Sequence, residues 1–202
     1  MPYSHTTIDF AACRPCFGFK NSFLIETVEH SLSPKTMDIE LATLAYNELA
    51  RRKKANRAEK FFQVSGKQPI PWLQSARSCL DILQPPDAGH YQGHLYVILV
   101  GGYSPTNQHY GAYVGSSRYL PETRFQQHKD GKHASRRVNR RGIQLLQSLT
   151  WPWRPVPGAN QKRIYWESAL NRCLAGVIPK VSGDYRPQED WPSDFQIPLK
   201  NN

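Results

Sequence analysis

The sequence predicts a mixed α/β protein whose helices come first and whose strands come after, and three observations carry that reading. Apolar residues recur at helical intervals at Met37, Leu41, Leu44, Ala45 and Leu49, and again at Leu73, Ala76, Leu80 and Leu83. Beyond them, the unbroken apolar run HLYVILV at 94–100 ends in two glycines and is followed by a second strand-like segment, YGAYVGSS, at 110–117. A helical stretch, KRIYWESALNRCLAG, then occupies 162–176. At 202 residues the chain has room for one ordinary domain and a helical arm. The expected division is a basic helical region over 1–88, a mixed domain over 89–182 and an irregular tail over 183–202.

Residues 1–32 show no clear period and contain CRPC, in which Cys13 and Cys16 have the spacing of half a zinc site or of a redox pair. No second pair with matching spacing follows. Ser33 as cap and Pro34 at a first helical position predict a helix that runs on into ARRKKANRAEK at 50–60. There Arg51, Arg52, Lys53, Lys54, Arg57 and Lys60 suit a helix C-terminus and equally suit a nucleic-acid backbone. VSGKQPIP at 64–71 breaks the helix, WLQSARSCLDIL resumes one, and QPPDAG at 84–89 reads as a linker.

The two strand-like segments, joined by the turn-rich GGYSPTNQ, form an antiparallel hairpin. Pro121 then opens a helix over PETRFQQHKD that Gly131 ends. A basic segment with Lys132, Arg136, Arg137, Arg140 and Arg141 leads to IQLLQSLTWPW, expected as a short helix and then an edge strand because Pro152 and Pro155 exclude a central one. The last helix places Trp166, Leu170, Cys173 and Leu174 on its apolar stripe.

Composition bounds the function. Twenty-six Lys and Arg against 16 Asp and Glu give a net charge of +10, the electrostatic footprint of a chain that meets phosphate backbones. No apolar window approaches the ~20 residues of a membrane span and the N-terminus lacks a secretory pattern, so the expected location is intracellular, cytoplasmic or nucleoid-associated. Four scattered cysteines do not make a disulfide framework, and reduced thiols are expected.

The side chains that can carry chemistry gather in the second half. Arg124 and His128 stand four apart on one helix and share a face. Tyr96 and Tyr113 lie on the paired strands and can reach one sheet face. Glu167 falls close to the buried stripe of its helix, where an uncompensated carboxylate is costly and calls for a cation, either Arg124 or a divalent metal. Such a set suits phosphodiester hydrolysis, which requires a water to lose a proton and a phosphorane charge and a leaving oxygen to be stabilised. Taken singly, each has a plain structural role: packing tyrosines, a surface arginine, an inert histidine, an internal ion pair.

This ordered set resembles the GIY-YIG nuclease family. His94-Leu95-Tyr96 stands at the first motif, Tyr113-Val114-Gly115 at the second, Arg124 and His128 in the following helix, and Glu167 on a later one, over roughly residues 92–182. The sequence departs from the pattern where His94 replaces the first glycine, where Tyr113 follows Tyr96 by 17 positions, and where Ser116 and Ser117 stand in place of a lysine. Asn171 is the candidate for a later asparagine.

The resemblance implies a small module with a three-stranded antiparallel sheet flanked by helices. It also implies one magnesium or manganese ion held by Glu167, and cleavage of DNA by a water that Tyr96 or Tyr113 activates with His128 while Arg124 braces the phosphate. Single- or double-stranded DNA remains open, and one site per chain makes a homodimer or sequential nicking the route to double-strand cuts. A basic binding module on the same scaffold without turnover is the alternative, and a structural role for the whole set, with the charge there for RNA, is the third.

Overall fold

The computed structural model describes residues 8–10, 12, 14–83, 92–132, 135–150, 156–157 and 160–193. The chain forms two compact units, Met1–Leu73 and Gln74–Asn202. The linker expected at 84–89, with the domain boundary at 88/89, lies outside the described residues, as do Cys13, Pro152 and Pro155. Among the described residues no helix is long and apolar enough to cross a membrane.

Among the described residues the first unit holds three helices, α1 (Asn21–Ser31), α2 (Ile39–Arg51) and α3 (Asn56–Ser65). The segment that shows no clear period in sequence contains α1, which buries Leu24, Thr27, Val28 and Ser31 on one stripe. The Thr27 hydroxyl is satisfied by donating to the Phe23 carbonyl at 2.8 Å. The helix expected from Pro34 begins later, at Ile39, because the Asp38 carboxylate caps it by accepting the Leu41 N–H at 2.9 Å. It also ends earlier. Lys53 takes a left-handed conformation, φ 58°, and the Lys54 N–H returns to the Leu49 carbonyl at 2.8 Å, closing α2 before α3 starts.

At the end of α2 sits a buried charge cluster. Glu48 accepts from Arg14 at 2.7 and 2.9 Å and from Arg52 at 2.8 Å, and Arg52 also donates to the Phe19 carbonyl at 2.7 Å and to Asn21 Oδ1 at 3.0 Å.

The second unit contains α4 (Leu73–Asp81) for all but its first residue, then β1 (Gln92–Val100), β2 (Gly111–Ser117), α5 (Pro121–Lys129) and α6 (Arg136–Arg141). After these come β3 (Gly142–Leu145), α7 (Gln147–Thr150), β4 (Val156–Pro157), α8 (Asn160–Ala175) and β5 (Val181–Ser182). The expected hairpin forms, with β1 antiparallel to β2 and Tyr96 opposite Gly115. The three-stranded antiparallel sheet is extended, however. The order β3-β1-β2-β5 has four strands, the fourth parallel to β2, and β4 pairs with the start of β1.

β1 is almost wholly buried, so its backbone polar groups need partners along both edges. That need reverses the expected order in IQLLQSLTWPW. The first residues after Arg141 pair with β1 as β3, Ile98 opposite Leu145, and the helical turn α7 follows. Tyr96, Ile98 and Val100 of β1 and Leu145 of β3 form one core face with Val138 of α6, and Phe125 of α5 packs on it. α8 packs against β1 and β2. Cys79 of α4 and Cys173 of α8, expected as reduced thiols, are joined in a disulfide with Cα atoms 6.2 Å apart. Their separation along the chain carried no information about their approach in space. Cys16 is buried as a free thiol.

Candidate active site

The site begins with the alternation of side chains along the hairpin. Ile98 lies opposite Tyr113, so Tyr96, two residues earlier, shares its face with Tyr113, and the two rings sit 6.4 Å apart. Tyr96 leans over Gly115. A Cβ at that position would come within 2.5 Å of the Tyr96 hydroxyl, so the glycine is what allows the phenol to lie flat on the strand.

Pro121 opens α5 from its first turn, and the helix presents His128 to both tyrosines. His128 Nε2 lies 3.0 Å from the Tyr96 hydroxyl, and its ring meets Tyr113 edge-on at 5.6 Å. The other ring nitrogen decides the proton. The Ser135 N–H, which can only donate, reaches Nδ1 at 3.2 Å, so Nδ1 accepts and a neutral ring carries its hydrogen on Nε2. His128 therefore donates to the Tyr96 oxygen. Burial first, and the Arg124 charge second, push its pKa down to about 4, which keeps the ring neutral. Arg124, half-buried one turn earlier, donates to Gln127 Oε1 at 3.1 Å and also hydrogen-bonds Tyr96.

Glu167 arrives from α8. Its Oε1 accepts the Asp184 N–H at 3.1 Å, and the Ser116 hydroxyl lies close enough to pull the carboxyl's pKa down. These neighbours place it at the edge of β2, past the last pairing with β5. Gly183 makes the approach possible: at φ 146° it turns the chain out of β5, and a Cβ there would collide with the Val114 carbonyl at 2.2 Å. The buried Asn171 lies against the same turn. One turn before Glu167 on α8, Arg163 donates from Nε to the Ser116 hydroxyl at 3.2 Å.

Burial dominates the electrostatics. It pushes the Glu167 carboxyl up to about 7, against the Ser116 hydroxyl, the Asp184 amide and the Arg163 charge, which pull it down. Burial likewise pushes the Tyr113 phenol up to about 12, with the Glu167 charge adding to it, and raises Tyr96 further still. Arg124 opposes both rises. Without a ligand the cluster is thus two neutral phenols and a half-ionised carboxyl around Arg124, and a positive charge placed beside Glu167 would favour the ionised form of each.

The five expected residues come together. So do three that sequence reasoning passed over: Arg163, Ser116 beside the carboxylate, and the Asp184 amide. Arg163 had a legible signal, since it stands four before Glu167 on one helix face; a backbone amide has none. Lys132 and the α6 arginines, Arg136, Arg137, Arg140 and Arg141, are exposed around the buried Val138. In the first unit Arg51, Lys53 and Lys54 are exposed, while Arg52 is tied to Glu48.

One observation tests whether this donor set fits a divalent cation. Glu167 is a buried carboxylate held near half ionisation, which a cation would relieve, so the residue fits. Among the described residues no group of three His, Cys, Asp or Glu side chains could complete a shell. Water and substrate oxygens would have to do so, as magnesium accepts. No family model, no curated protein and no solved structure matches this chain significantly.

Proposed function

We propose that this chain is a metal-dependent endonuclease of the GIY-YIG type that hydrolyses DNA phosphodiesters. The observation that supports it is the convergence of Tyr96, Tyr113, Arg124, His128 and Glu167, drawn from two strands and two helices, on one patch of sheet. Tyr96 is the water-activating group in this reading, because the His128 Nε2–H and the Arg124 guanidinium both direct positive character at its oxygen and oppose the burial that raises its pKa. Its phenolate takes a proton from water while the water oxygen bonds to phosphorus. The bond from phosphorus to the leaving oxygen breaks, and that oxygen takes a proton from solvent.

Arg124 neutralises the charge that builds on the phosphoryl oxygens. Tyr113, its ring 6.4 Å from that of Tyr96, packs beside it and positions it. A magnesium or manganese ion held by Glu167 would supply Lewis-acid stabilisation of the phosphate and leaving oxygen. The exposed arginines of α6 with Lys132, and Arg51, Lys53 and Lys54 of the first unit, are the surfaces proposed to hold the DNA backbone. Plasmid and single-stranded DNA, incubated with the protein in EDTA and then in excess magnesium, test the reading. Cleavage in magnesium alone is expected, and retardation without cleavage under every condition would favour the non-catalytic binding module.

A further inference from the structure

Immediately after β2 the chain exposes three consecutive side chains, Arg118, Tyr119 and Leu120, and this step stands beside the candidate site. Tyr119 keeps 42% of its surface exposed and Leu120 keeps 56%, among the most exposed large apolar residues described. They are not loose. The Tyr119 N–H donates to the Ser117 hydroxyl at 2.9 Å, and Leu120 caps α5, whose first residue, Pro121, is buried. The Arg118 guanidinium lies 5.0 Å from the centre of the Tyr119 ring and donates to its hydroxyl at 2.9 Å, so ring and cation form one unit.

The position ties this unit to the chemistry. Ser116, two residues before Arg118, accepts from Arg163 Nε at 3.2 Å, and Arg163 stands one turn before Glu167 on α8. An exposed aromatic ring backed by a guanidinium, pre-ordered by the backbone, offers what an unstacked base needs: a flat apolar face with positive charge next to it. A duplex keeps its bases inside the stack and cannot use such a face.

We propose that Arg118, Tyr119 and Leu120 form a stacking platform for an unpaired base next to the scissile phosphate, so that the site takes single-stranded or locally opened DNA. This rests on the nuclease reading and names its substrate class. Arg118 neutralises the flanking phosphate, Tyr119 takes the base, and Leu120 walls the edge.

The test uses the full chain with Glu167→Gln to prevent cleavage, and measures affinity for a single-stranded oligonucleotide and for the duplex of the same sequence. Adding Tyr119→Ala is expected to weaken single-strand binding about tenfold and duplex binding less than twofold, the loss of one stacked base. Tyr119→Phe, which keeps the ring, should stay within about twofold of the parent on both. Equal losses on the two substrates, or none on the single strand, would overturn the platform alone. So would a Tyr119→Ala chain that sediments as a monomer where the parent is a dimer while single-strand affinity is unchanged, an outcome that would assign the patch to a second copy. No DNA binding by the parent variant would overturn the nuclease reading together with the platform.

Discussion

Two glutamates in this chain expose equally little of their own surface and live in opposite electrostatic states. Glu48 in the first unit and Glu167 in the second are each 5% exposed. Burial pushes both carboxyls up, yet around Glu48 the hydrogen bonds from Arg14 and Arg52 outweigh it and the pKa ends below the usual range. Around Glu167 stand a hydroxyl and a backbone amide, with the Asp184 charge adding to the rise, and the pKa ends near 7. Two things separate them: Glu48 is bonded directly by two half-buried arginines, whereas Glu167 lies deeper in protein and takes a backbone amide. Glu48 is finished by the protein. Glu167, in the proposed reading, is completed by a cation that binds.

The largest expected contrast lies in cleavage. Glu167→Gln should lower magnesium-dependent plasmid nicking by on the order of 10³-fold while DNA affinity stays within a few-fold. Glu48→Gln should leave nicking per folded molecule nearly unchanged and destabilise the first unit by about 3 kcal/mol, since it strands two arginines around a neutral side chain. Nicking rates and denaturant melts of the two variants measure this; equal loss of nicking in both would erase the distinction. Arg124→Lys comes next, with an expected fall in cleavage of roughly 10²-fold, because a point charge replaces a guanidinium that faces both Tyr96 and the phosphate site.

The same contrast sets opposite pH dependences of stability. The Glu167 carboxyl titrates near 7 in the folded chain against an ordinary value of 4.5. The folded state therefore holds more protons than the unfolded state between those values, and stability falls as pH rises through that window, by on the order of 3 kcal/mol in the absence of divalent ions. Glu48 is depressed, so its contribution is present above the ordinary value and is lost as pH falls below it. In melting curves of parent minus Glu→Gln variant, the Glu167 difference should fall as pH rises from 4.5 to about 7, whereas the Glu48 difference should rise with pH below 4.5 and stay flat above it. Slopes of one sign would break the comparison.

The smallest effect separates two neighbours. Arg51→Ala should weaken DNA binding a few-fold and reduce the salt slope by about one, with stability within about 0.5 kcal/mol of the parent. Arg52→Ala should cost stability instead, because its guanidinium holds Glu48 and two groups near α1.

Much of the candidate site was legible because it depends on short-range rules. Alternation along β1 and β2 put both phenols on one face, and the helical repeat put Arg124 above His128. What escaped was set by long-range packing or by backbone. α1 hid because two of its four buried positions, Thr27 and Ser31, are polar, and Thr27 is satisfied within the helix. The break between α2 and α3 hid because a lysine, not a glycine, takes the left-handed turn. The role of His128 was open in sequence and is narrowed by one amide: the Ser135 N–H on Nδ1 makes the ring a donor to Tyr96 and not an acceptor of its proton. The pairing of Cys79 with Cys173, 94 residues apart, belongs to the same class of tertiary facts.

Manganese binding, followed by electron paramagnetic resonance in the presence of a non-cleavable phosphorothioate oligonucleotide, tests most directly the claim that Glu167 is the carboxylate the fold leaves for a cation. The account predicts one ion per chain, lost in Glu167→Gln and kept in Glu48→Gln. An ion that survives Glu167→Gln, or the absence of any bound ion in the parent chain, would contradict it.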